Sequence, residues 1–302
     1  MIDTVVSVKL PIGEMLRIKR NRLMPDVVSG IYGDELGGQY ICGEIIRRIK
    51  AEFENLTGIV DVYPAVNPLG LDARTRAVPI SDIDYSSAFP GDINGGLEDY
   101  TAAKLIEDIK GASCCIDIHS SNIFLQEVPQ VRLNNDYDET LLHLSKYMNT
   151  DLVWIHPSQT VNEGSLAFTL NQMGIPTMVT ESGAAFRIRY EYCRQIIDGI
   201  FSVMAELGIW KGKVQGKTKV PFIHEDQIFY LNCESSGLFV SYKRLKDPVK
   251  KGEIIGIVQN PLMGATEEEV VAPTDGILMT LREHPSVTEG SLVARVIGGN
   301  AL

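Results

Sequence analysis

Glu35, His119 and Glu181 each follow a short apolar run, and Arg76 lies in the polar loop after another. Carboxylates and imidazoles hold divalent metals and move protons, and a guanidinium steadies developing negative charge. Each residue also has an ordinary reading. Glu35 precedes an apolar-periodic segment and suits a helix cap. His119 suits a hydrogen-bonded structural histidine, and Arg76 a solvated loop. Glu181, between a buried run and Gly183, is harder to assign to structure alone, because an unpaired buried carboxylate is expensive.

The elements that must position these side chains alternate along the first two-thirds of the chain. Residues 26–31 predict a buried strand entering a glycine-rich loop, and 36–53 carry Ile41, Ile45, Ile46 and Ile49 at helical spacing. Further strands are expected at 59–66, 113–118, 152–155 and 177–180, and helices at 100–109, 141–148, 165–173 and 190–207. Such alternation implies a largely parallel sheet covered on both faces. Glu35, His119 and Glu181 then fall at strand C-terminal ends, the edge where open α/β sheets bind ligands.

From about residue 216 the texture changes to short strands at 237–240, 254–258, 269–271 and 276–279 with turns between them, which reads as a small all-β module. The expected division is 1–215 for a catalytic domain and 216–302 for a β-rich C-terminal domain, with Lys211, Gly212, Lys213, Gly216 and Lys217 marking the linker. The segments 252–256 and 272–276 resemble a lipoyl-type barrel-sandwich fold. The modification lysine of that fold is missing from the matching turn, which argues against a carrier role.

Five motifs follow in order. The first runs from Ser29 to Gly38 and contains Tyr32 and Glu35. Asn67-Pro68-Leu69-Gly70 then leads to Thr75-Arg76. Asp84-Tyr85-Ser86-Ser87 continues to Pro90-Gly91. Ile116-Asp117-Ile118-His119-Ser120 is the fourth, and Gly174-Ile175-Pro176 leading to Thr180-Glu181-Ser182-Gly183 the fifth. Over residues 25–210 this set resembles the succinylglutamate desuccinylase/aspartoacylase family of the zinc carboxypeptidase superfamily.

The resemblance implies an α/β fold with a zinc-carboxypeptidase-like mixed sheet covered by helices on both faces, followed by a small barrel-sandwich-like all-β domain. It implies one zinc ion (Zn2+) held by Glu35 and His119, with a further family histidine belonging at position 32. Glu181 would be the general base that deprotonates a metal-bound water and later protonates the leaving amine. Arg76 would stabilise the oxyanion. These residue types suit that chemistry, since a catalytic zinc takes three protein ligands and leaves an open position where water has its pKa lowered to about 7.

Two positions depart from the family pattern. Tyr32 stands where the histidine belongs, and a phenol with a pKa near 10 is not among the usual zinc ligands, so weakened affinity is expected unless Asp34 substitutes. Ser86-Ser87 replaces the common Asn-Arg pair that grips a substrate carboxylate. Serines keep hydrogen-bonding capacity but lose the charged fork. Substrate binding is therefore expected from Ser86, Ser87, Tyr85 and Arg74, with a less charged amide or an ester favoured over an acidic N-acyl amino acid. Two readings follow: a zinc-dependent hydrolase cleaving a small N-acyl compound, or a catalytically silent relative that binds a small ligand or partner in the old cleft. The persistence of Arg76, His119 and Glu181 favours the hydrolase.

Composition narrows the partners. A net charge of −11 argues against nucleic acid and anionic membranes, which reward clustered cations. The basic stretch at 17–22 reads as a solvated face or a substrate-attracting rim. No apolar run approaches the roughly 20 residues of a membrane span, and the N-terminus lacks the pattern of a signal peptide. The five cysteines, odd in number and without CxxC spacing, suggest reduced thiols in a cytoplasmic protein. A small-molecule substrate is expected, with a homo-oligomer left open. His143, His156, His224 and His284 are expected to be structural.

Overall fold

The computed structural model describes residues 1–10, 14–24, 27–29, 31–134, 138–157, 164–215 and 220–299. Asp26 and Gly30 of the expected first strand and loop, and Gly216 and Lys217 of the expected linker, lie outside the described residues.

The chain opens with β1 (Ile2–Lys9), β2 (Met15–Met24) and β3 (Val27–Ser29), followed by helix α1 (Leu36–Ala51). Then come β4 (Val60–Tyr63), α2 (Pro68–Ala73), α3 (Leu97–Ile109), β5 (Cys115–His119), β6 (Leu125–Asn134) and α4 (Glu139–Ser145). The helical part closes with β7 (Leu152–His156), α5 (Leu166–Gln172), β8 (Thr177–Gly183) and α6 (Tyr190–Glu206). The remainder consists of β9 (Phe222–His224), β10 (Ile228–Asn232), β11 (Gly237–Ser241), β12 (Pro248–Val249), β13 (Ile254–Asn260), β14 (Ala265–Val271), β15 (Gly276–Arg282), β16 (Ser286–Val287) and β17 (Leu292–Gly298). Among the described residues that stretch has no α-helix.

The main sheet is mixed rather than largely parallel. Its parallel centre, β4-β3-β5-β8, is flanked by antiparallel β2 on one side and antiparallel β6 on the other. Strand β6 was not expected from the sequence, because Gln126, Glu127, Gln130 and Arg132 interrupt its apolar pattern and Pro129 sits inside it. These polar groups are affordable there because they pair with one another and with neighbouring strands. Beyond β6 the sheet continues through β15, β17 and β10, so strands of the C-terminal region are hydrogen-bonded to the α/β part. A second, four-stranded sheet, β14-β13-β11-β16, packs its apolar residues with β15 and β17 around Phe239, Ile255, Val258 and Leu278.

Helices cover both faces, as the 3.6-residue spacing requires. On one face Ile41, Ile45 and Ile49 of α1 and Ile196, Ile200 and Phe201 of α6 pack with Ile116 and Ile118 of β5. On the other, Leu105 and Ile109 of α3 and Leu170 of α5 pack with Cys115 and Tyr63. Alternation along β5 therefore sends Asp117 and His119 to the side of Cys115, away from α1 and α6. No disulfide joins the five buried cysteines, and burial pushes the thiols of Cys114 and Cys193 up to about 12 and about 11.

The basic stretch at 17–22 is neither a rim nor a uniformly solvated face. It alternates along β2, with Arg20 buried against Asp108 at 2.6 Å and Arg22 forked onto Asp61 at 2.9 and 2.7 Å. None of its residues lines the cleft that holds Glu181.

Candidate active site

The site forms where three loops converge on the C-terminal edge of the parallel strands. Gly33 makes this possible, since a Cβ there would sit 2.0 Å from the backbone carbon of Gly70. The Tyr32–Glu35 loop thus lies directly on the backbone of α2. Asn67 caps α2 by accepting from the Gly70 amide at 2.8 Å, and its side-chain amide donates to the Arg76 carbonyl at 3.2 Å. These contacts bring Arg76 over the Tyr32 ring, 3.5 Å from its centroid.

Glu35 occupies the N-cap position of α1 yet makes no side-chain cap bond. Its Oε2 instead accepts from the Ser120 amide at 3.0 Å and lies 3.1 Å from His119 Nδ1. On the far side of the ring, His119 Nε2 is 3.0 Å from Asp117 Oδ2. Asp117 is two residues back on the same strand and so faces the same way. Burial opposes charge on His119, but Asp117 and Glu35 on its two nitrogens outweigh it and hold its pKa well above the ordinary histidine range. Burial likewise pushes Glu35 up, with His119 opposing.

Glu181, on β8 beside β5, is directly across from His119 in the strand register. Its Oε2 meets Arg132 Nη1 at 3.0 Å. Burial pushes its pKa up, and Arg132 is the main opposing influence. Arg76 also pairs with Asp84 at 2.9 Å and reaches to 4.0 Å from Glu35.

Tyr32, Glu35, Arg76, Ser86, His119 and Glu181 line one cleft of about 500 Å³. The other substrate-binding candidates do not. Tyr85 turns into the core at 2% exposure, where burial pushes its phenol up to about 12. Ser87 donates to the Asp84 carbonyl at 2.9 Å, closing its own short helical turn. Arg74 ends α2 in a left-handed conformation, φ 59°, and stays exposed away from the cleft. Asp34 is buried but does not line the cleft, and its carbonyl accepts from the Phe186 amide at 2.8 Å.

As a metal site the donor set is incomplete. Ligands bound tetrahedrally at about 2.0 Å lie roughly 3.3 Å apart, close to the separation of Glu35 Oε2 and His119 Nδ1. Asp117 on the opposite nitrogen is the partner that orients a metal-binding imidazole. Among the described residues, however, no third His, Cys, Asp or Glu side chain joins them. Tyr32 packs against His119 with ring centroids 5.2 Å apart, and burial raises its pKa against the influence of His119, Arg76 and a hydrogen bond with Ser86.

Other residues line the cleft without having been singled out from the sequence for a role there, among them Asp117, Glu127, Arg132, His156 and Arg295. Asp117 was legible from its two-residue offset to His119. His156 stacks on Trp154 with centroids 3.9 Å apart, and burial, with Arg132 and Arg295, pushes its pKa down to about 3. The other three depend on pairings that no local pattern announces.

Residues 26–207 match the model of the succinylglutamate desuccinylase/aspartoacylase catalytic domain. The chain belongs to this family, whose members are deacylases of small N-acyl compounds. It is 24% identical over 276 residues to the N-alpha-acetyl-L-2,4-diaminobutyric acid deacetylase of Halomonas elongata, covering 89% of this chain and 80% of that protein. The fold is also that of the product-bound ectoine utilization protein EutE (DoeB) from Ruegeria pomeroyi, with a TM-score of 0.84, 21% identity and coverage of 99% and 95% of the two chains. A succinylglutamate desuccinylase/aspartoacylase from Rhodobacter sphaeroides superposes with a TM-score of 0.78, 23% identity and coverage of 95% and 90%. No helix among the described residues is long and apolar enough to cross a membrane.

Proposed function

We propose that this protein is a zinc-dependent deacylase that hydrolyses the amide bond, or an ester bond, of a small N-acyl compound. The observation that carries this reading is the placement of Glu35, His119 and Glu181 on one cleft, with the first two at metal-ligand separation. The acetylated amine in the name of the Halomonas relative supports an N-acyl substrate.

Glu35 and His119 would hold the ion, with Asp117 fixing the His119 ring, and two protein ligands in place of three make for weaker binding. A zinc ion bound there supplies Lewis acidity, polarising the acyl carbonyl and acidifying water. Glu181 takes a proton from water as its oxygen attacks the carbonyl carbon, and returns it to the nitrogen as the C–N bond breaks. Arg76 faces the cleft and meets the negative charge that develops on the carbonyl oxygen. Ser86 offers a hydroxyl at the wall of the cleft without adding charge.

The test is amine release from a panel of N-acetyl amino acids, with and without added zinc chloride, by wild type and Glu181→Gln. Zinc-dependent release that falls at least 100-fold in the variant is expected. Absence of release at every zinc concentration would overturn the hydrolase reading. It would leave the ligand-binding relative, which the neutral, guanidinium-covered phenol of Tyr32 favours.

A further inference from the structure

A row of polar residues crosses five strands of the main sheet. Arg295 on β17 is opposite Thr280 on β15, and Thr280 is opposite Glu127 on β6. On the next pair Gln130 of β6 is opposite Glu181 of β8, and Glu181 is opposite His119 of β5. Residues 127 and 130 would point to opposite faces of a regular strand, because side chains alternate with a period of two. The register of β6 against β8 shifts between Glu127 and Gln130, at the segment containing Pro129, and Glu127 reaches Gln130 and Arg132.

The contacts run along that row. Glu127, 2% exposed, accepts through Oε1 from Arg295 at 2.7 Å and through Oε2 from Arg132 and Gln130. Arg295 Nη1 lies 3.3 Å from Thr280 Oγ1. Arg132 is two residues beyond the position opposite Glu181, the diagonal offset at which long side chains meet across strands. Its Nη1 closes on Glu181 Oε2 at 3.0 Å, while Trp154 backs the guanidinium at 5.4 Å.

We propose that Arg132 is the positioning residue for Glu181, and that Glu127, held from the other side by Arg295 of the C-terminal region, fixes Arg132 in place. This rests on the proposed role of Glu181 as the base. A buried carboxylate with a single guanidinium partner takes its orientation from that partner, and a fixed fork restrains it better than a point charge. Glu127 has both oxygens occupied, so Arg132 cannot turn fully onto it. Its second nitrogen is left for Glu181. The C-terminal strands thereby bear on the geometry of a base that the N-terminal part carries.

Two measurements test the proposal, and one does not need turnover. In thermal melts, Arg132→Met should lower Tm by leaving Glu181 buried and unpaired. Glu181→Gln should lower Tm in the wild-type background but raise it in the Arg132→Met background, because it removes the orphaned charge. Tm changes that simply add would overturn the pairing. In turnover of an N-acetyl amino acid, Arg132→Ala should reduce kcat at least tenfold with KM within threefold, and added guanidinium chloride should restore several-fold of the loss. Arg132→Lys should recover less than guanidinium does. A folded Arg132→Ala protein with wild-type kcat would overturn the positioning role. If wild type releases no amine, the deacylase reading fails, while the melting cycle still decides whether Arg132 and Glu181 act as a pair.

Discussion

Replacing Tyr32 with histidine should tighten zinc binding while making the metal-free protein less stable. Structural zinc sites with four ligands are worth about 10–16 kcal/mol, or about 3 kcal/mol per ligand, so a third ligand should gain roughly 100-fold in affinity. Against this, the Tyr32 ring is 9% exposed, lies 3.5 Å beneath the Arg76 guanidinium and packs in a cluster with Tyr63, Val66 and Val78. Losing the cation–π contact costs about 0.5–2 kcal/mol, and the smaller ring leaves a void besides. The variant should therefore melt below wild type without metal. With zinc at 100 times its dissociation constant, about 2.7 kcal/mol of stabilisation should reverse that order. Competition with a chromogenic chelator gives the two affinities, and melts with and without zinc give the two stabilities. Equal zinc affinities would refute the reasoning, since position 32 would then not face the ion.

Three further outcomes are expected. His156, pushed down to about 3 in the folded protein, has its ordinary value near 6.5 when unfolded. Above pH 6.5 it is neutral in both states and costs nothing; as pH falls toward 3 the unfolded state takes up the proton first, and the stability lost reaches about 2–3 kcal/mol by pH 4.5. His156→Phe, which keeps a ring on Trp154, should lose that much less stability than wild type between pH 7 and pH 4.5 in urea titrations; parallel losses would contradict the assignment. Gly33→Ala places a Cβ against the Gly70 backbone, so a loss of at least about 1–3 kcal/mol by urea unfolding is expected, and an unchanged midpoint would mean the loop does not pack on α2 as described. Asp117→Asn should weaken zinc binding about 10–100-fold by removing the partner that orients His119, whereas an unaltered affinity would exclude that role.

Much of the arrangement was readable from order and period alone. Apolar spacing of 3.6 residues located α1, α3 and α6, and apolar runs ending in ionisable residues located β5 and β8 with His119 and Glu181 at their ends. These are local signals, carried by residues a few positions apart. The five ordered motifs pointed to the family, and Glu35, Arg76, His119 and Glu181 meet on one cleft. The resemblance also marked position 32, held here by Tyr32, as the place where a family histidine is expected. Only the tertiary structure decided which neighbours each of these groups has. Strand β6 hid behind Gln126, Glu127, Gln130 and Arg132; of these, buried Glu127 is held by Arg132 and Gln130 of its own strand and by Arg295 of β17, and Arg132 by Glu181 of β8. Tyr85 and Arg74, close in sequence to cleft residues, point elsewhere because one fills the core and the other ends a helix. Arg132 and Arg295 reach the cleft through strand pairing across large sequence separations. Periodicity shows which face of an element is apolar, but ion pairs and hydrogen bonds depend on which strands become neighbours, and that is set by the packing of the whole sheet.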